Sequence, residues 1–128
     1  MYATVLHGPG DIRYESVDDP RILLPTDAII QLSATCICGS DLWPYRGQEA
    51  ADGLPMGHEY VGWVDEVGAE VKNAGDFVVG SFFASDNTCE ICEAGFQSRC
   101  IVGELACPTG AQSEYLRVPL ADGTLVKT

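Results

Sequence analysis

The stretch GHEYVGWVDEVG occupies residues 57–68 and carries both a strand signal and a chemical signal. Tyr60–Val67 is rich in β-branched and aromatic residues, which favour a strand, and Gly68 ends the run. His58 stands just before the predicted strand, and neutral imidazole is the commonest metal ligand among side chains. Glu59 follows it as a spare ligand or as a group that holds the imidazole. We expect a strand that begins beside a metal-binding side chain, with an ordinary surface histidine as the alternative.

Strand signals also dominate the rest of the chain. One short helical turn is predicted from Ser40 or Asp41 through Arg46. The 14 glycines and 7 prolines separate the strands at regular intervals, which is typical of a small antiparallel barrel or sandwich. The further predicted strands are Ala3–Leu6, Ile12–Val17, Ala28–Thr35, Phe77–Phe83, Ser113–Val118 and Thr124–Lys127.

Length and charge limit the functions that the chain can have. Its 128 residues predict one domain, residues 1–128, with a hydrophobic core of its own. Seven basic against 19 acidic residues give a net charge of −12, which argues against a nucleic-acid partner because phosphate binding needs clustered Lys and Arg. No signal peptide is visible, and the longest apolar run, Phe77 to Ala84, is too short to span a membrane. We therefore expect a soluble, cytoplasmic protein without a membrane partner.

A short acidic loop carries three of the six cysteines, with the spacing Asp-x2-Cys-x2-Cys-x7-Cys over Asp86, Cys89, Cys92 and Cys100. Two residues between ligands let a tight turn aim both side chains at one ion, and thiolates and a carboxylate all bind zinc. In a reducing cytosol such cysteines are more often ligands or free thiols than disulfides. Disulfides, an iron–sulfur cluster and a loop without metal are the alternatives.

A second cysteine motif, Cys36-Ile37-Cys38-Gly39-Ser40-Asp41, follows a predicted strand and opens the predicted helical turn. A thiolate is favoured at the N-terminus of a helix, and Ser40 brings a hydroxyl close to it. Because residues two apart on a strand share a face, one of the two cysteines can instead fill the core. The other histidine, His7, precedes Gly8-Pro9-Gly10 and is expected in an exposed loop.

The combination of these motifs resembles the zinc-dependent alcohol dehydrogenases of the medium-chain dehydrogenase/reductase superfamily. Cys-Gly-Ser-Asp is followed by Gly-His-Glu and then by the cysteine loop, as in that family. The resemblance covers nearly the whole chain, and its other matching segments are Val67-Gly68, Gly75-Asp76-Phe77-Val78, Gly110-Ala111-Gln112-Ser113-Glu114-Tyr115 and Val118-Pro119.

The resemblance implies a mainly β fold, the GroES-like, partly open β-barrel with few short helices. It also implies that Cys38 and His58 bind a catalytic zinc, which lowers the pKa of a bound alcohol. The alkoxide then gives hydride to NAD(P). By the same resemblance, Glu59 can approach the metal during ligand exchange, Ser40 starts a proton relay, and Asp41 orients the imidazole. Trp43 and Phe82 would lie near the substrate pocket. The loop ligands would hold a structural zinc.

The chain also departs from the family pattern. The family places its third catalytic zinc ligand and its Rossmann cofactor domain beyond the position of Thr128. Gly8-Pro9-Gly10 is no dinucleotide motif, because Arg13 takes the place of the last glycine. We therefore expect no cofactor-binding residues here and an inactive isolated chain. The substrate implied for the complete enzyme is a small-molecule alcohol or aldehyde, which the isolated chain should not turn over. We expect the isolated chain to self-associate through an exposed interdomain face.

Three smaller departures concern single positions. Asp86 stands where the family usually has a cysteine, so we expect weaker zinc retention. Trp43 stands where some members use a histidine, and indole cannot relay protons at neutral pH. The segment Lys72-Asn73-Ala74 is short for the family and is interpreted as a tightened loop. A non-enzymatic zinc-binding or interaction module on the same fold is the alternative function.

Overall fold

The computed structural model of the chain describes residues 1–72 and 75–128, so most of the segment interpreted as a tightened loop, Asn73 and Ala74, lies outside the described residues. The fold is mainly β, as predicted. Its strands are β1 (Tyr2–Gly8), β2 (Asp11–Ser16), β3 (Ala28–Thr35), β4 (Leu54–Pro55), β5 (Tyr60–Val67), β6 (Phe77–Gly80), β7 (Phe83–Ala84), β8 (Glu104–Leu105), β9 (Tyr115–Val118) and β10 (Leu125–Lys127).

The helices are short and sit in the connections between strands. They are α1 (Leu42–Tyr45), α2 (Glu90–Glu93) and α3 (Ala121–Thr124), together with single 3₁₀ turns at Gly39–Asp41 and Gln97–Arg99. No helix within the described ranges is both long and apolar enough to cross a membrane.

The strands form three antiparallel sheets. The largest has the order β10-β6-β5-β3-β9, the second has the order β2-β1-β4, and β7 pairs with β8. A single bridge between Ala3 and Ser113 links β1 to the segment that enters β9. Over residues 1–72 and 75–128 the ladder does not close on itself, which agrees with the partly open barrel that we expected.

The core lies on the inner face of the five-stranded sheet. The alternation of β3 and β5 turns small and branched side chains inward, and their removal from water stabilises the fold by roughly 25 cal/mol per Å² of apolar surface. The buried members of this core are Ala28, Ile30, Tyr60, Val78, Ala111, Leu116, Val118, Ala121 and Leu125.

The strand predictions for β3 and β5 match the structure to the residue. The prediction of one strand over Phe77–Phe83 is wrong, because β6 ends at Gly80 and Phe83 begins β7, which pairs with β8 instead. The hydroxyl of Ser81 accepts a hydrogen bond from the amide of Phe83 (3.1 Å) at this break. His7 is also not in a loop: it lies in β1, and its Nε2 is 2.8 Å from a carboxylate oxygen of Glu15.

One buried ion pair ties the chain before β3 to β9. Asp27 is fully buried and accepts hydrogen bonds from Arg117 (2.7 and 3.1 Å) and from the amides of Leu23 and Leu24 (2.9 and 2.8 Å). Burial alone favours the neutral carboxyl, but these four hydrogen bonds outweigh it and lower the pKa of Asp27. Asp27 therefore stays ionised, and its hydrogen bonds hold the segment before β3 against β9.

We predict that Asp27→Asn destabilises the protein by about 3 kcal/mol at pH 7, because it leaves the charge of Arg117 buried without its partner. Urea unfolding measures this loss. Because the folded pKa of Asp27 lies below its unfolded value of about 3.9, the pair contributes above that pH and its contribution disappears as the pH falls through the folded pKa. The variant should therefore lose less stability on acidification than the parent.

Asp11→Asn is the matched control, since Asp11 is paired with the exposed Arg13 and is expected to contribute little. Equal unfolding midpoints for the parent and Asp27→Asn would show that the pair does not stabilise the sheet.

Candidate metal centres

The pairing of β3 with β5 brings the two sequence motifs of the first candidate centre together. The register places Thr35 opposite Tyr60. At this end of the ladder the hydroxyl of Thr35 (2.7 Å) and the amide of Cys36 (3.3 Å) both donate to the carbonyl oxygen of Glu59. The segment that leaves β3 therefore starts beside the segment that enters β5, although more than twenty positions separate them in sequence.

His58 lies between a carboxylate and a hydroxyl. Its Nδ1 is 3.4 Å from Oδ1 of the buried Asp41, whose Oδ2 accepts the amide of Cys38 at 2.8 Å. Its Nε2 is 3.2 Å from Oγ of Ser40, and that oxygen is 3.4 Å from Sγ of Cys38. A ring proton on Nδ1 would face the carboxylate of Asp41, and the lone pair of Nε2 would then face the hydroxyl of Ser40.

The backbone before His58 fits only a glycine. Gly57 has φ +89°, and a Cβ at this position would lie 2.8 Å from the amide nitrogen of Gln112. The amide of Ala111 donates to the carbonyl oxygen of Gly57 at 2.9 Å, and the amide of Gln112 donates to that of Met56 at the same distance. This close approach of two backbone segments sets the position of the imidazole.

A cavity of about 430 Å³ opens over these groups. The ligand atoms of Cys38, His58 and Glu59 lie within 4.8 Å of one another at one side of it. The ring of Phe82 stands edge-on to the imidazole, with 6.0 Å between the ring centroids. The remaining lining residues are Ser40, Leu105 and Cys107.

Two lining residues were not predicted from the sequence. Leu105 lies in β8, and Cys107 follows it in a stretch without regular periodicity, so only the fold brings them to the cavity. Burial raises the pKa of the Cys107 thiol to about 12, which keeps this wall neutral. The cavity thus has a polar side and an apolar wall.

Two other predicted positions lie elsewhere. Trp43 is on α1 with 52% of its surface exposed and is not among the described residues that line the cavity, so its place in a substrate pocket stays a prediction. Cys36 is exposed and therefore does not fill the core, whereas Cys38 is half-buried just before the 3₁₀ turn.

The second candidate centre is the cysteine loop. The structure brings the ligand atoms of Asp86, Cys89, Cys92 and Cys100 within 4.8 Å of one another. Cys89 precedes α2, and one turn of that helix carries Cys92 back to the same side. Cys100 follows the second 3₁₀ turn, and its Sγ lies 4.0 Å from Sγ of Cys89. All six cysteines of the chain are free thiols, so the disulfide alternative finds no support in the structure.

Backbone amides favour the ionised forms of two side chains in this loop, and these are the forms that bind a cation. Hydrogen bonds from the amides of Thr88 and Cys89 lower the pKa of Asp86 well below its usual range. Amides of Ile101 and Cys92 likewise lower the pKa of the Cys89 thiol. Burial, in contrast, raises the pKa of the Cys92 thiol to about 12.

Both donor sets fit zinc in chemical type. Three thiols and a carboxylate around one point match a closed four-ligand site. A thiol, an imidazole nitrogen and a carboxylate at the edge of a cavity match a site that leaves room for a further ligand. A bound cation would deprotonate the coordinating thiols, including that of Cys92.

Comparisons with known proteins agree with this arrangement. Residues 24–128 match the model of the alcohol dehydrogenase GroES-like domain. Zinc-type alcohol dehydrogenase B of Aspergillus flavus is 44% identical over 99% of this chain, and medium chain reductase/dehydrogenase ucsI of an Acremonium species is 42% identical over 99%. The chain covers 31% and 46% of the length of these two proteins.

Solved structures show the same fold. Alcohol dehydrogenase TADH from Thermus sp. ATN1 superposes with a TM-score of 0.87 at 32% identity, over 98% of this chain and 39% of that one. Zinc dependent alcohol dehydrogenase 2 from Streptococcus pneumonia superposes with the same score at 39% identity, over 100% of this chain and 38% of that one. With the family model matched over most of its length, the chain belongs to the alcohol dehydrogenase GroES-like domain family.

Proposed function

We propose that residues 1–128 form one domain that supplies the substrate cavity and the zinc-binding residues of an NAD(P)-dependent alcohol dehydrogenase. The observation that carries the proposal is the convergence of Cys38, Ser40 and His58 on a cavity that apolar side chains also line. A purely structural module has no need for a hydroxyl and an oriented imidazole at the mouth of such a cavity. The relatives and solved structures named above, which carry the same domain, support the same reaction class.

Cys38 and His58 would hold the catalytic zinc, and Glu59 offers a third ligand atom within reach. When bound, zinc supplies a Lewis acid that lowers the pKa of an alcohol in the cavity, and the nicotinamide supplies the hydride acceptor. Asp41 would keep the imidazole proton on Nδ1 and so leave Nε2 for the metal. Ser40 Oγ stands beside both ligand atoms, where it would accept the proton of the alcohol while it gives its own proton to water or to the cofactor ribose.

The apolar wall serves the carbon part of the substrate. Phe82 and Leu105 expose 56% and 69% of their surface, and contact with an alkyl or aryl group would remove apolar area from water. The substrate class proposed is therefore a small alcohol or its aldehyde. No glycine-rich strand-to-helix turn occurs in residues 1–128, so we place the nicotinamide site outside them.

The cysteine loop has a supporting role in this proposal. A site closed by Asp86, Cys89, Cys92 and Cys100 leaves no position for substrate, so its zinc would brace the loop. The free thiols support a reducing compartment such as the cytoplasm. Self-association through an exposed interdomain face stays a prediction.

We predict that the purified chain retains one zinc after dialysis, held by the loop, because among residues 1–72 and 75–128 only this site brings four ligand atoms together. Elemental analysis should show that Cys92→Ser loses this zinc. His58→Ala should retain it, and so should the control Cys36→Ser, whose thiol is exposed and outside both centres. Retention of zinc in Cys92→Ser would contradict the assignment of the loop.

We also predict that Ser40→Ala lowers kcat for alcohol oxidation by about 10²-fold or more, in a form of the protein that carries a nicotinamide-binding domain. Zinc content should stay unchanged, since the hydroxyl is not a ligand in this proposal. Ser16→Ala on β2 is the control and should have normal kcat. The 128 residues alone should not turn over NAD(P)⁺ with any alcohol. An active isolated chain, or an unaffected Ser40→Ala, would refute this mechanism.

A further inference from the structure

The carboxylate of Asp86 is already engaged within the protein before any metal is considered. Its Oδ1 accepts the amide of Thr88 at 3.0 Å and the amide of Cys89 at 3.1 Å. The thiol of Cys100 donates to the same oxygen at 3.3 Å. Asn87, inside this turn, has φ 58°, a left-handed conformation that costs energy in a residue other than glycine. The side chain of Asp86 thus closes a tight turn and draws the far end of the loop toward it.

We propose that Asp86 preorganises the cysteine loop in the absence of metal, by closing the turn over residues 86–89, and that this is a function separate from ligation. The proposal concerns the metal-free protein, so it stands apart from the zinc assignment made above. It also gives a physical reason for a carboxylate at this position rather than a fourth thiol.

The chemistry of the two side chains differs in the metal-free state. An ionised carboxylate forms charge-assisted hydrogen bonds with backbone amides, and these are about twice as strong as neutral ones. A protonated thiol is only a weak acceptor. A cysteine at position 86 would therefore hold the turn poorly until a cation bound to it, whereas an asparagine would keep an amide oxygen for the same turn without a negative charge.

The residue before Asp86, Ser85, is held by α3. The amide of Ser85 donates to the hydroxyl of Thr124 (3.3 Å), and the hydroxyl of Ser85 donates to the carbonyl oxygen of Gly123 (3.1 Å). A Cβ at Gly123 would lie 2.1 Å from the carbonyl oxygen of Ser85 and 2.8 Å from the carbonyl carbon of Asp86. The loop therefore starts from a buried anchor on α3, and Asp86 is the residue that follows this anchor.

Preorganisation has a consequence for metal binding. A loop that is ordered beforehand loses less conformational entropy when an ion binds, and this raises its affinity. A carboxylate, however, is a harder ligand than a thiolate and binds zinc less strongly in a thiolate-rich site. Asp86 is thus a weaker zinc ligand than a cysteine, but it orders the metal-free loop better. Replacing it by cysteine should therefore raise the zinc affinity and lower the order of the metal-free loop.

The test compares Asp86→Asn, Asp86→Cys and the control Glu93→Gln, which removes one exposed charge from α2 without touching the turn. The melting temperature and the hydrogen exchange of the Thr88 and Cys89 amides are measured with excess chelator. Glu93→Gln should melt close to the parent. Asp86→Asn should melt slightly lower because its hydrogen bonds lose the charge, and Asp86→Cys should melt lowest, by on the order of 5 °C, and lose protection at both amides. Zinc affinity, measured by competition with a chromogenic chelator, should be highest in Asp86→Cys and lowest in Asp86→Asn.

Equal melting and equal amide protection in metal-free Asp86→Cys and the parent would overturn the proposal, as would an Asp86→Asn protein that is as destabilised as Asp86→Cys. An Asp86→Cys protein that folds only with zinc supports it. If no variant binds zinc but the metal-free ranking holds, the proposed zinc site fails and the preorganising role of Asp86 is supported. The two proposals therefore fail on different measurements.

Discussion

The register between β3 and β5 is the constraint on which the rest of the structure depends. It is the longest ladder in the described chain, running from Ala28 opposite Val67 to Thr35 opposite Tyr60. A shift by one residue would move the inward-facing side chains of one strand to the opposite face of the sheet, because side chains alternate between the two faces. The same shift would separate the carbonyl oxygen of Glu59 from Thr35 and Cys36. The apolar core and the candidate catalytic centre therefore depend on the same register of β3 and β5.

Contacts at the end of the β3–β5 ladder position the imidazole of His58. Asp41 satisfies a backbone amide with one oxygen and orients His58 with the other, so a single buried carboxylate links the helical turn to the strand. Gly57 lets the neighbouring backbone approach from the opposite side. The contacts of Asp41 with His58 and of Gly57 with Gln112 join residues that are distant in sequence. Together they hold the imidazole between two fixed walls, which is the kind of support that a proton-transfer site needs.

The sequence predicted the strands with clear alternation and the residues with metal-binding chemistry. β3 was predictable from its apolar–polar alternation, and β5 from its β-branched and aromatic residues. The break between β6 and β7 was not, because a continuous apolar run hides a change of pairing partner. Leu105 and Cys107 were missed for a similar reason: their place at the cavity comes from β7–β8 pairing and not from any spacing in the sequence. The loop ligands were named from their spacing, and Cys38 and His58 were named from the family resemblance. The turn made by Asp86 is visible only in the folded chain.

The small β7–β8 ladder has a consequence for the modularity of the domain. Phe83 pairs with Leu105 and Ala84 pairs with Glu104, so a two-stranded clip closes the segment 86–103, and the hydrogen bonds of Ser85 also hold the start of this segment to α3. An excursion closed in this way behaves as a cassette, whose length and sequence can change without altering the register of the large sheet. The clip itself is less free to vary, because Phe82 and Leu105 at its base form part of the cavity wall. Variation in the cassette can thus leave the chemistry untouched, while variation in the clip would reshape the space in which that chemistry takes place.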